Sequence, residues 1–318
     1  MSKIKTLFVP EVFNRYITEQ NVKTNRLIKS GIMSNDARLN ALAERGGKSI
    51  NMPFFKQLGG DDELLTVDNG LTPGAMEAGM DVATLIMRGR AFDIFDLESS
   101  LSGEDVVGEC ASMIAEYWNG RKQTTLMAIL EGVFKSPSME TNIYKAGGPK
   151  AKSIAKIDGA SFIQAKNKLG DKSDALEAVI MHSAVFAELE TQNLIAYIPN
   201  SQGVVEFPTY MGKKVIVDDE CQYDAETGVY NTYLFGRGAI GYGQGKAQVP
   251  SEIGRDHLKG IDTLVHREHY LMHPRGVKFT NANVAKESPT NAELKDGANW
   301  ERVYEPKNVK IVLFQHTI

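Results

Sequence analysis

The stretch from residue 102 to residue 137, SGEDVVGECASMIAEYWNGRKQTTLMAILEGVFKSP, decides the fold class. Ser102 is a good helix N-cap, and Asp105 three residues later completes a capping-box-like pair. Apolar residues then recur every three or four positions, which is the spacing of one face of an α-helix. Pro137 ends the pattern. The sequence therefore predicts one helix over residues 103–135, about 50 Å long, a length that suits a structural spine.

The apolar face of this helix is predicted to lie in a core. Its candidate core residues are Val106, Cys110, Met113, Tyr117, Leu130 and Phe134. The chain has two cysteines, Cys110 and Cys221, which make neither a disulfide framework nor a four-ligand zinc site. We therefore interpret Cys110 as a small core residue of a protein in a reducing compartment.

Residues 49–97 predict a long β-hairpin. In the first strand Ile50, Met52 and Phe54 alternate with polar residues, which is the two-residue period of a strand. The returning strand is predicted to span residues 81–97. Between the strands lies a tip of about twenty residues, which is unusual in a compact domain unless the tip is functional or packs on a partner.

The other segments predict a mixture of helices and strands. Residues 1–48 predict an extended arm with a short helix at 36–43, and residues 160–260 alternate between short helices and strands. A long strand is predicted at 261–280 and a last strand at 309–314. The predicted fold class is therefore α+β.

Charge is distributed unevenly along the 318 residues, whose net charge is −4. Residues 1–50 carry nine Lys or Arg and four Asp or Glu, whereas residues 51–150 carry eight and fifteen. A basic segment beside an acidic one favours attraction between neighbouring copies in an assembly, and a solvated basic arm is the alternative. The chain is less basic than a typical nucleic-acid-binding domain.

Composition excludes several other classes of protein. Hydrophobic residues make up 42% and charged residues 24% of the chain, which is an ordinary globular composition and not that of a disordered protein. Apolar runs are all shorter than the ~18 residues of a membrane span, and the first residues lack a signal-peptide core. The sequence therefore predicts a soluble protein that is not secreted by the usual route and has no membrane partner.

Three histidines would form a candidate metal site if their segment were helical. His266, His269 and His273 would then share one face and could bind zinc, and a metal-dependent enzyme is therefore one alternative function. The surrounding residues 261–278 are rich in Thr, Val, Tyr and Leu, which favours a strand. In a strand His266 points away from the other two, so no metal site is predicted.

A glycine motif matches the spacing of a dinucleotide-binding turn. Gly236, Gly238 and Gly241 follow a predicted strand, as that motif requires. Further glycines and Pro250 then stand where the motif needs a helix. The pattern instead predicts a glycine-rich bend where the chain crosses between two sheets, and no cofactor.

A Ser-His-Asp catalytic triad is a further candidate site that the sequence does not support. His182 and Ser183 could combine with Asp218 or Asp219, but no nucleophile elbow surrounds the serine. Ser183 is better explained as a helix cap. The acidic run at 218–220 is typical of a solvated turn rather than of a cation site. The sequence therefore predicts no catalytic residue.

The order of these elements resembles that of the major capsid protein of tailed bacteriophages, which has the Hong Kong 97-type fold. That family also has a basic arm, a long hairpin, a very long helix and an α/β module, in this order. Four later segments resemble it too: 178–189 (AVIMHSAVFAEL), 210–219 (YMGKKVIVDD), 233–242 (YLFGRGAIGY) and 261–279 (IDTLVHREHYLMHPRGVKF). The resemblance covers roughly residues 1–280.

The chain is divided into six parts: the resemblance implies the first five, and the sixth lies beyond the match and is expected to add a strand or an intersubunit contact. These are an N-terminal arm (1–48), an extended hairpin or E-loop (49–97), a peripheral domain with the spine helix (98–150), an axial domain (151–235), return strands of the peripheral domain (236–280) and a C-terminal extension (281–318).

The resemblance also implies a structural function and no enzymatic one. The family forms pentamers and hexamers that close an icosahedral head around double-stranded DNA. The hairpin would lie over a neighbouring subunit, and its interface residues would include Phe54, Phe55, Lys56, Leu64 and Leu65. Implied partners are other copies of the chain, a separate scaffolding protein, a portal, DNA contacted non-specifically and a decoration protein. The protein would belong to the virion and assemble in the cytoplasm of the host bacterium.

Two related possibilities are weighed against this interpretation. An encapsulin-type nanocompartment shell shares the fold, but the long arm and the lack of a clear cargo-binding helix favour a virion. Some capsid proteins cross-link a hairpin lysine to an asparagine of a neighbour. Lys56 lies in the hairpin, but no motif identifies a partner for it, so this cross-link is not predicted.

Overall fold

The computed structural model describes residues 30–44, 47, 49–56, 58–59, 61–64, 73–95, 106–148, 154–198 and 208–318, with the backbone alone at 42, 94–95 and 106–112. The helices are α1 (Ala37–Glu44), α2 (Val106–Lys135), α3 (Gly159–Lys166), α4 (Ser183–Thr191) and α5 (Asn291–Leu294). Short 3₁₀ segments span Pro137–Asn142, Asn167–Ala175, Gly297–Asn299 and Pro306–Asn308. None of the described helices combines the length and apolar character needed to span a bilayer.

The strands fall into two large sheets and two small ones. They are β1 (Met33–Asn35), β2 (Ser49–Phe55), β3 (Ala78–Thr84), β4 (Ile86–Phe95), β5 (Ile143–Lys145), β6 (Leu176–Met181), β7 (Ile195–Tyr197), β8 (Pro208–Tyr210), β9 (Lys213–Val217), β10 (Tyr223–Asp224), β11 (Val229–Gly236), β12 (Ile240–Gly245), β13 (Ser251–Asp256), β14 (Ile261–Pro274), β15 (Val277–Phe279), β16 (Trp300–Arg302) and β17 (Ile311–His316).

The five-stranded sheet is built around β14. Its order is β1-β12-β14-β13, and β4 pairs with the opposite edge of β14. The eight-stranded sheet has the order β5-β17-β11-β6-β9-β8-β7, and β10 pairs with β11. β15 with β16 and β2 with β3 form the two-stranded sheets. This mixture of helices with largely antiparallel sheets confirms the predicted α+β class.

The glycine motif lies where the chain passes from one large sheet to the other, as the sequence predicted. Gly236 ends β11 of the eight-stranded sheet, and β12 of the five-stranded sheet begins four residues later. Gly238 adopts the left-handed conformation with φ of 62°, which glycine tolerates best. A Cβ atom at Gly243 would lie 3.0 Å from the backbone carbonyl carbon of Leu39. The later glycines therefore let α1 lie directly on β12.

Helix α2 lies at the junction of the two large sheets. Its first half packs Ile114 and Trp118 against Leu264 of the five-stranded sheet. Its second half joins the main core, which contains side chains from both sheets, including Tyr233 and Tyr270. The helix ends at Lys135, as predicted, whereas the predicted start at residues 102–105 lies outside the described residues.

The returning strand of the hairpin is interrupted, which corrects the prediction of one strand over residues 81–97. β3 pairs with β2 and ends at Thr84, and β4 then pairs with β14. Leu85, between the two strands, and Ile86, the first residue of β4, are buried at 3% and 0% exposure. Because both side chains lie in the core, the chain must leave the hairpin there and enter the five-stranded sheet.

The last strand predicted at 309–314 is β17 (Ile311–His316), and it joins the C-terminal extension (281–318) to the eight-stranded sheet. β17 lies inside the eight-stranded sheet, antiparallel to β11 and parallel to β5. Four consecutive residues, Ile311 to Phe314, are at most 4% exposed. A strand buried on both faces belongs to the core of its sheet.

Candidate functional site

The hairpin extends from the body as a two-stranded ribbon. Its register pairs Ser49 with Thr84 at the root and Phe55 with Ala78 at the far end. Beyond the strands, the Lys56 ammonium lies 2.7 Å from the Glu77 carboxylate. This surface ion pair raises the pKa of Lys56 and lowers that of Glu77, chiefly through their hydrogen bond. The ion pair links the two sides of the hairpin just beyond the ends of β2 and β3.

Apolar side chains on the hairpin are left exposed by the rest of the chain. Phe55 is 71% exposed and Leu64 is 86% exposed, so these two predicted interface residues have little cover. Leu58, Met76 and Met80 are at least half exposed as well. Leu65, the last predicted interface residue, lies outside the described residues. An exposed group of large apolar side chains is typical of a surface that another protein covers.

Phe54 differs from the other predicted hairpin residues because its own chain partly covers it. Its ring contacts the ring of Tyr304 edge to face, with centroids 4.6 Å apart. Gly79 lies beneath the Phe54 ring, and a Cβ atom there would overlap it. Gly276 (φ 87°) lies in the same way beneath Tyr304. The two glycines thus make room for an aromatic contact that fixes the hairpin to the C-terminal segment.

A buried carboxylate holds the root of the hairpin. Asp81 of β3 is 3% exposed, and its Oδ2 atom lies 2.9 Å from Nε2 of His273. The same oxygen accepts a hydrogen bond of 3.1 Å from the Gly276 amide. Burial, followed by the nearby Asp81 charge, raises the pKa of Tyr304. β3, β14 and the turn before β15 are therefore joined at one polar point.

The candidate core residues of α2 fall in different surroundings. Leu130 (0% exposed) and Phe134 (8%) lie in the main core, and Tyr117 is half-buried against Phe92. Met113 is 64% exposed, so its assignment to the core is wrong. The described residues leave most of this side chain uncovered, although the neighbouring Ile114 packs against Leu264 of the five-stranded sheet. For Val106 and Cys110 the structure describes the backbone alone.

A buried ion pair under α2 was not anticipated from the sequence. The Lys122 ammonium lies 2.8 Å from the Glu268 carboxylate, and the two side chains are 2% and 5% exposed. Desolvation opposes the charge on Lys122, but Tyr242 and Glu268 outweigh it and raise its pKa. The only hint in the sequence is the break in the apolar pattern of α2 at residues 119–125.

The three histidines do not form a metal site. Along β14, buried and half-buried residues alternate from Ile261 to Tyr270, as in a strand. His266 lies against the Trp118 ring with centroids 5.6 Å apart, whereas His273 contacts Asp81. Burial lowers the pKa of His266, which favours the neutral ring. Among the described residues no cluster of three His, Cys, Asp or Glu side chains is arranged to hold a metal ion.

The residues of the candidate catalytic triad around His182 form a helix cap instead. His182 is the N-cap of α4, and its Nδ1 atom accepts a hydrogen bond of 3.0 Å from the Ala184 amide. The N-cap is therefore His182, whereas the sequence had suggested Ser183. The Ser183 amide donates to the Asp219 carboxylate at 3.2 Å, and Nδ1 lies 3.9 Å from the same carboxylate. The side chains of His182 and Asp219 therefore accept hydrogen bonds from backbone amides and stabilise the first turn of α4.

Comparison with solved structures defines the class of protein. The capsid of Ralstonia phage GP4 matches 91% of this chain and 90% of that chain with a TM-score of 0.63, at 8% sequence identity. The capsid of cyanophage Pam1 matches 93% of both chains with a TM-score of 0.55, at 12% identity. At such low identity the likeness shows the fold alone. The fold is the Hong Kong 97-type fold of bacteriophage capsid proteins.

Sequence relationships identify the family. The profile of the Gp13-like family, described as major capsid protein 13-like, matches residues 107–310. The major capsid protein of Bacillus phage SPP1 is 41% identical over 322 residues, covering 100% of this chain and 98% of that protein. The chain belongs to the Gp13-like family of major capsid proteins. It is a structural component of a phage virion, and the matches give no support to an encapsulin-type shell or a metal-dependent enzyme.

Proposed function

We propose that the chain assembles with copies of itself into pentamers and hexamers, which close an icosahedral head around double-stranded DNA. The observation that carries this proposal is the extended hairpin with its exposed apolar side chains. A ring of subunits needs two different surfaces on each subunit, one that reaches out and one that receives. The hairpin is the surface that reaches out, and its position on a neighbouring subunit explains its length.

The energy available from one hairpin is modest. Full burial of a large apolar side chain contributes about 1.5–3 kcal/mol, so five partly exposed ones supply about 5–10 kcal/mol. Association itself costs about 4–15 kcal/mol in lost freedom of motion. A single hairpin contact is therefore weak. In a closed shell every subunit both gives and receives a hairpin, so the contacts reinforce one another.

The remaining parts of the chain have distinct roles under this proposal. The arm (1–48) reaches a neighbour, and the hairpin lies over another subunit as the E-loop. α2 with the five-stranded sheet forms the peripheral domain. The eight-stranded sheet forms the axial domain, to which β17 of the C-terminal segment contributes. The position of α2 at the junction of the two large sheets supports this division, because a helix that packs on both sheets would stiffen the subunit within the shell.

The proposed partners follow from a shell that fills with DNA. A separate scaffolding protein guides assembly in the cytoplasm of the host bacterium, and a portal occupies one vertex. Packaged DNA contacts the wall non-specifically, and a decoration protein binds outside. The chain acts through binding surfaces and not through catalysis. Its membership in a major capsid protein family supports these proposals.

The test is assembly of the purified chain, alone and with the scaffolding protein of its phage. Sedimentation velocity and negative-stain electron microscopy measure the fraction in closed shells, tubes or capsomers. We expect wild type to assemble and the triple variant Phe55→Ser, Leu58→Ser, Met76→Ser to remain monomeric, because its hairpin has lost its apolar contacts.

The matched control is Leu258→Ser. Leu258 is 99% exposed but lies in the turn between β13 and β14, far along the chain from the hairpin. This variant is expected to assemble as wild type does. A wild-type chain that stays monomeric or dimeric with its scaffolding protein present would contradict the proposed function.

A further inference from the structure

A basic groove lies between the C-terminal end of α2 and β5. Its volume is about 1030 Å³. Lys135, Lys145 and Lys168 line it, and all three side chains are exposed. Glu140 is the only carboxylate among its described lining residues. Its floor is partly apolar, with Ile143 half-buried at the edge of the main core. The groove therefore combines positive charge with an apolar surface.

Two of these lysines are not neutralised by the described residues of their own chain. The Lys135 ammonium lies 2.6 Å from the Glu131 carboxylate, which neutralises one charge. Within the part of the chain that the structure describes, the side-chain ammonium groups of Lys145 and Lys168 have no hydrogen-bond or ion-pair partner. Concave surfaces with one sign of charge concentrate groups of the opposite sign. The chemistry that fits the groove is an extended peptide with adjacent carboxylates and an apolar side chain.

The hairpin tip has this chemistry. Asp61, Asp62, Glu63 and Leu64 are consecutive and exposed. The paired strands alone carry the tip about 20 Å from the hairpin root. No hairpin residue is among the described residues that line the groove of its own chain. The segment over residues 1–50 carries nine basic and four acidic residues, so repulsion disfavours the arm as the occupant. A DNA duplex presents phosphates but would leave the apolar floor uncovered.

We propose that the lysine groove of one subunit receives the hairpin tip of a second copy of the chain. Asp61 and Asp62 face Lys145 and Lys168, and Leu64 covers the apolar floor. This inference rests on the proposed shell, and it names the surface that receives the hairpin. It also assigns a role to part of the excess of acidic residues in the middle of the sequence, since four of them lie in the described part of the tip: Asp61, Asp62, Glu63 and Glu77.

Charge reversal in two combinations tests the contact. The groove variant carries Lys145→Glu with Lys168→Glu, and the tip variant carries Asp61→Lys with Asp62→Lys. Each places like charges opposite one another, and we expect the assembled fraction to fall at least about tenfold. The chain with all four substitutions restores opposite charges and is expected to assemble within about twofold of wild type.

The control for charge reversal is Lys259→Glu with Lys286→Glu. Both lysines are exposed and lie outside the groove, so this variant is expected to assemble as wild type does. Circular dichroism and urea unfolding of each unassembled variant show whether it is folded. Defects in both reversed variants that the combined chain does not correct would overturn the proposal.

Cross-linking gives a second and independent measurement. One chain carries Asp62→Cys and a second, affinity-tagged chain carries Lys145→Cys. After co-assembly and mild oxidation, we expect a disulfide-linked dimer of tagged and untagged chains. Asp62→Cys paired with Lys286→Cys is the control, and it is expected to give no such dimer. Equal yields from both pairs would overturn the proposal.

Other occupants of the groove have their own signatures, and each overturns the proposal. Normal assembly of the groove variant with reduced retention of DNA would assign the groove to DNA. Normal assembly alone with failure in the presence of the scaffolding protein would assign it to an acidic segment of that partner. In either case wild-type shells still form, so the proposed function stands. Failure of wild type to form any assembly contradicts both.

Discussion

Gly132 and Gly120 both lie inside α2, and replacing each with alanine is predicted to change stability in opposite directions. A glycine inside a helix is about 1 kcal/mol less favourable than alanine. At Gly120 a new Cβ atom would have no neighbour within 4 Å. Gly120→Ala is therefore expected to raise the free energy of unfolding by about 0.5–1 kcal/mol.

At Gly132 the same methyl group meets the C-terminal segment. The new Cβ atom would overlap the carbonyl oxygen of Leu294 and lie 2.6 Å from Nε1 of Trp300. Those two atoms form a buried hydrogen bond of 2.8 Å. Overpacking costs about 1–3 kcal/mol, and losing the bond between buried groups costs about 1–3 kcal/mol more. After the gain in helix propensity, Gly132→Ala is expected to lower the free energy of unfolding by about 3 kcal/mol.

The assay is urea unfolding of the unassembled chain, followed by circular dichroism. Comparison of midpoints at an unchanged slope gives the change in free energy for each variant. We expect the two alanine variants to differ by about 4 kcal/mol, with wild type between them but nearer to Gly120→Ala. Equal midpoints would refute the reasoning, because they would mean that α2 does not approach Leu294 and Trp300 as closely as the structure shows.

Three further predictions concern buried polar groups. Asp81→Ala removes the carboxylate that accepts hydrogen bonds from His273 and the Gly276 amide, so the free energy of unfolding in urea should fall by about 3 kcal/mol. Amide hydrogen exchange in the hairpin should become faster. Unchanged exchange would contradict the role of Asp81 at the hairpin root. Lys122→Met leaves the Glu268 charge buried without its partner and should lower the free energy of unfolding by about 3–5 kcal/mol. The double variant Lys122→Met, Glu268→Leu should recover most of that loss. Equal losses in the single and double variants would show that the pair is not coupled. Burial lowers the pKa of His316 from 6.5 to about 4. The unfolded chain then binds the proton more tightly, so stability is lost as pH falls from about 6.5 through about 4, by up to about 3 kcal/mol. His316→Gln should remove this contribution, and an identical pH profile in the variant would contradict it.

Local sequence patterns predicted the individual elements well. The helix predicted at 36–43 is α1 (Ala37–Glu44), and the end of α2 at Lys135 follows from the proline two residues later. The histidine segment was correctly predicted as a strand because it is rich in Thr, Val, Tyr and Leu. Phe55 and Leu64, which the resemblance assigned to a subunit interface, are exposed in the single chain, and their contact with a neighbour stays a prediction.

Features that depend on contacts between distant segments could not be predicted. The break at Leu85, the exposure of Met113 and the Lys122–Glu268 pair are all set by what lies opposite each residue in space. The basic groove is a further example, because Lys135 and Lys168 come from separate parts of the chain. Apart from the break in the apolar pattern of α2 at residues 119–125, these contacts leave no periodic signal in the neighbouring sequence.

The sequence by itself determined which segments become helix, strand and hairpin, because those choices depend on residues within a few positions of one another. Only the tertiary structure decided that β17 lies between β11 and β5, with Phe314 beside Thr232. Its apolar residues suit any buried strand, and pairing partners at least 76 residues away select its place. The physical reason is that secondary structure follows local periodicity, whereas sheet order is decided by the joint burial of surfaces that meet only in the folded chain.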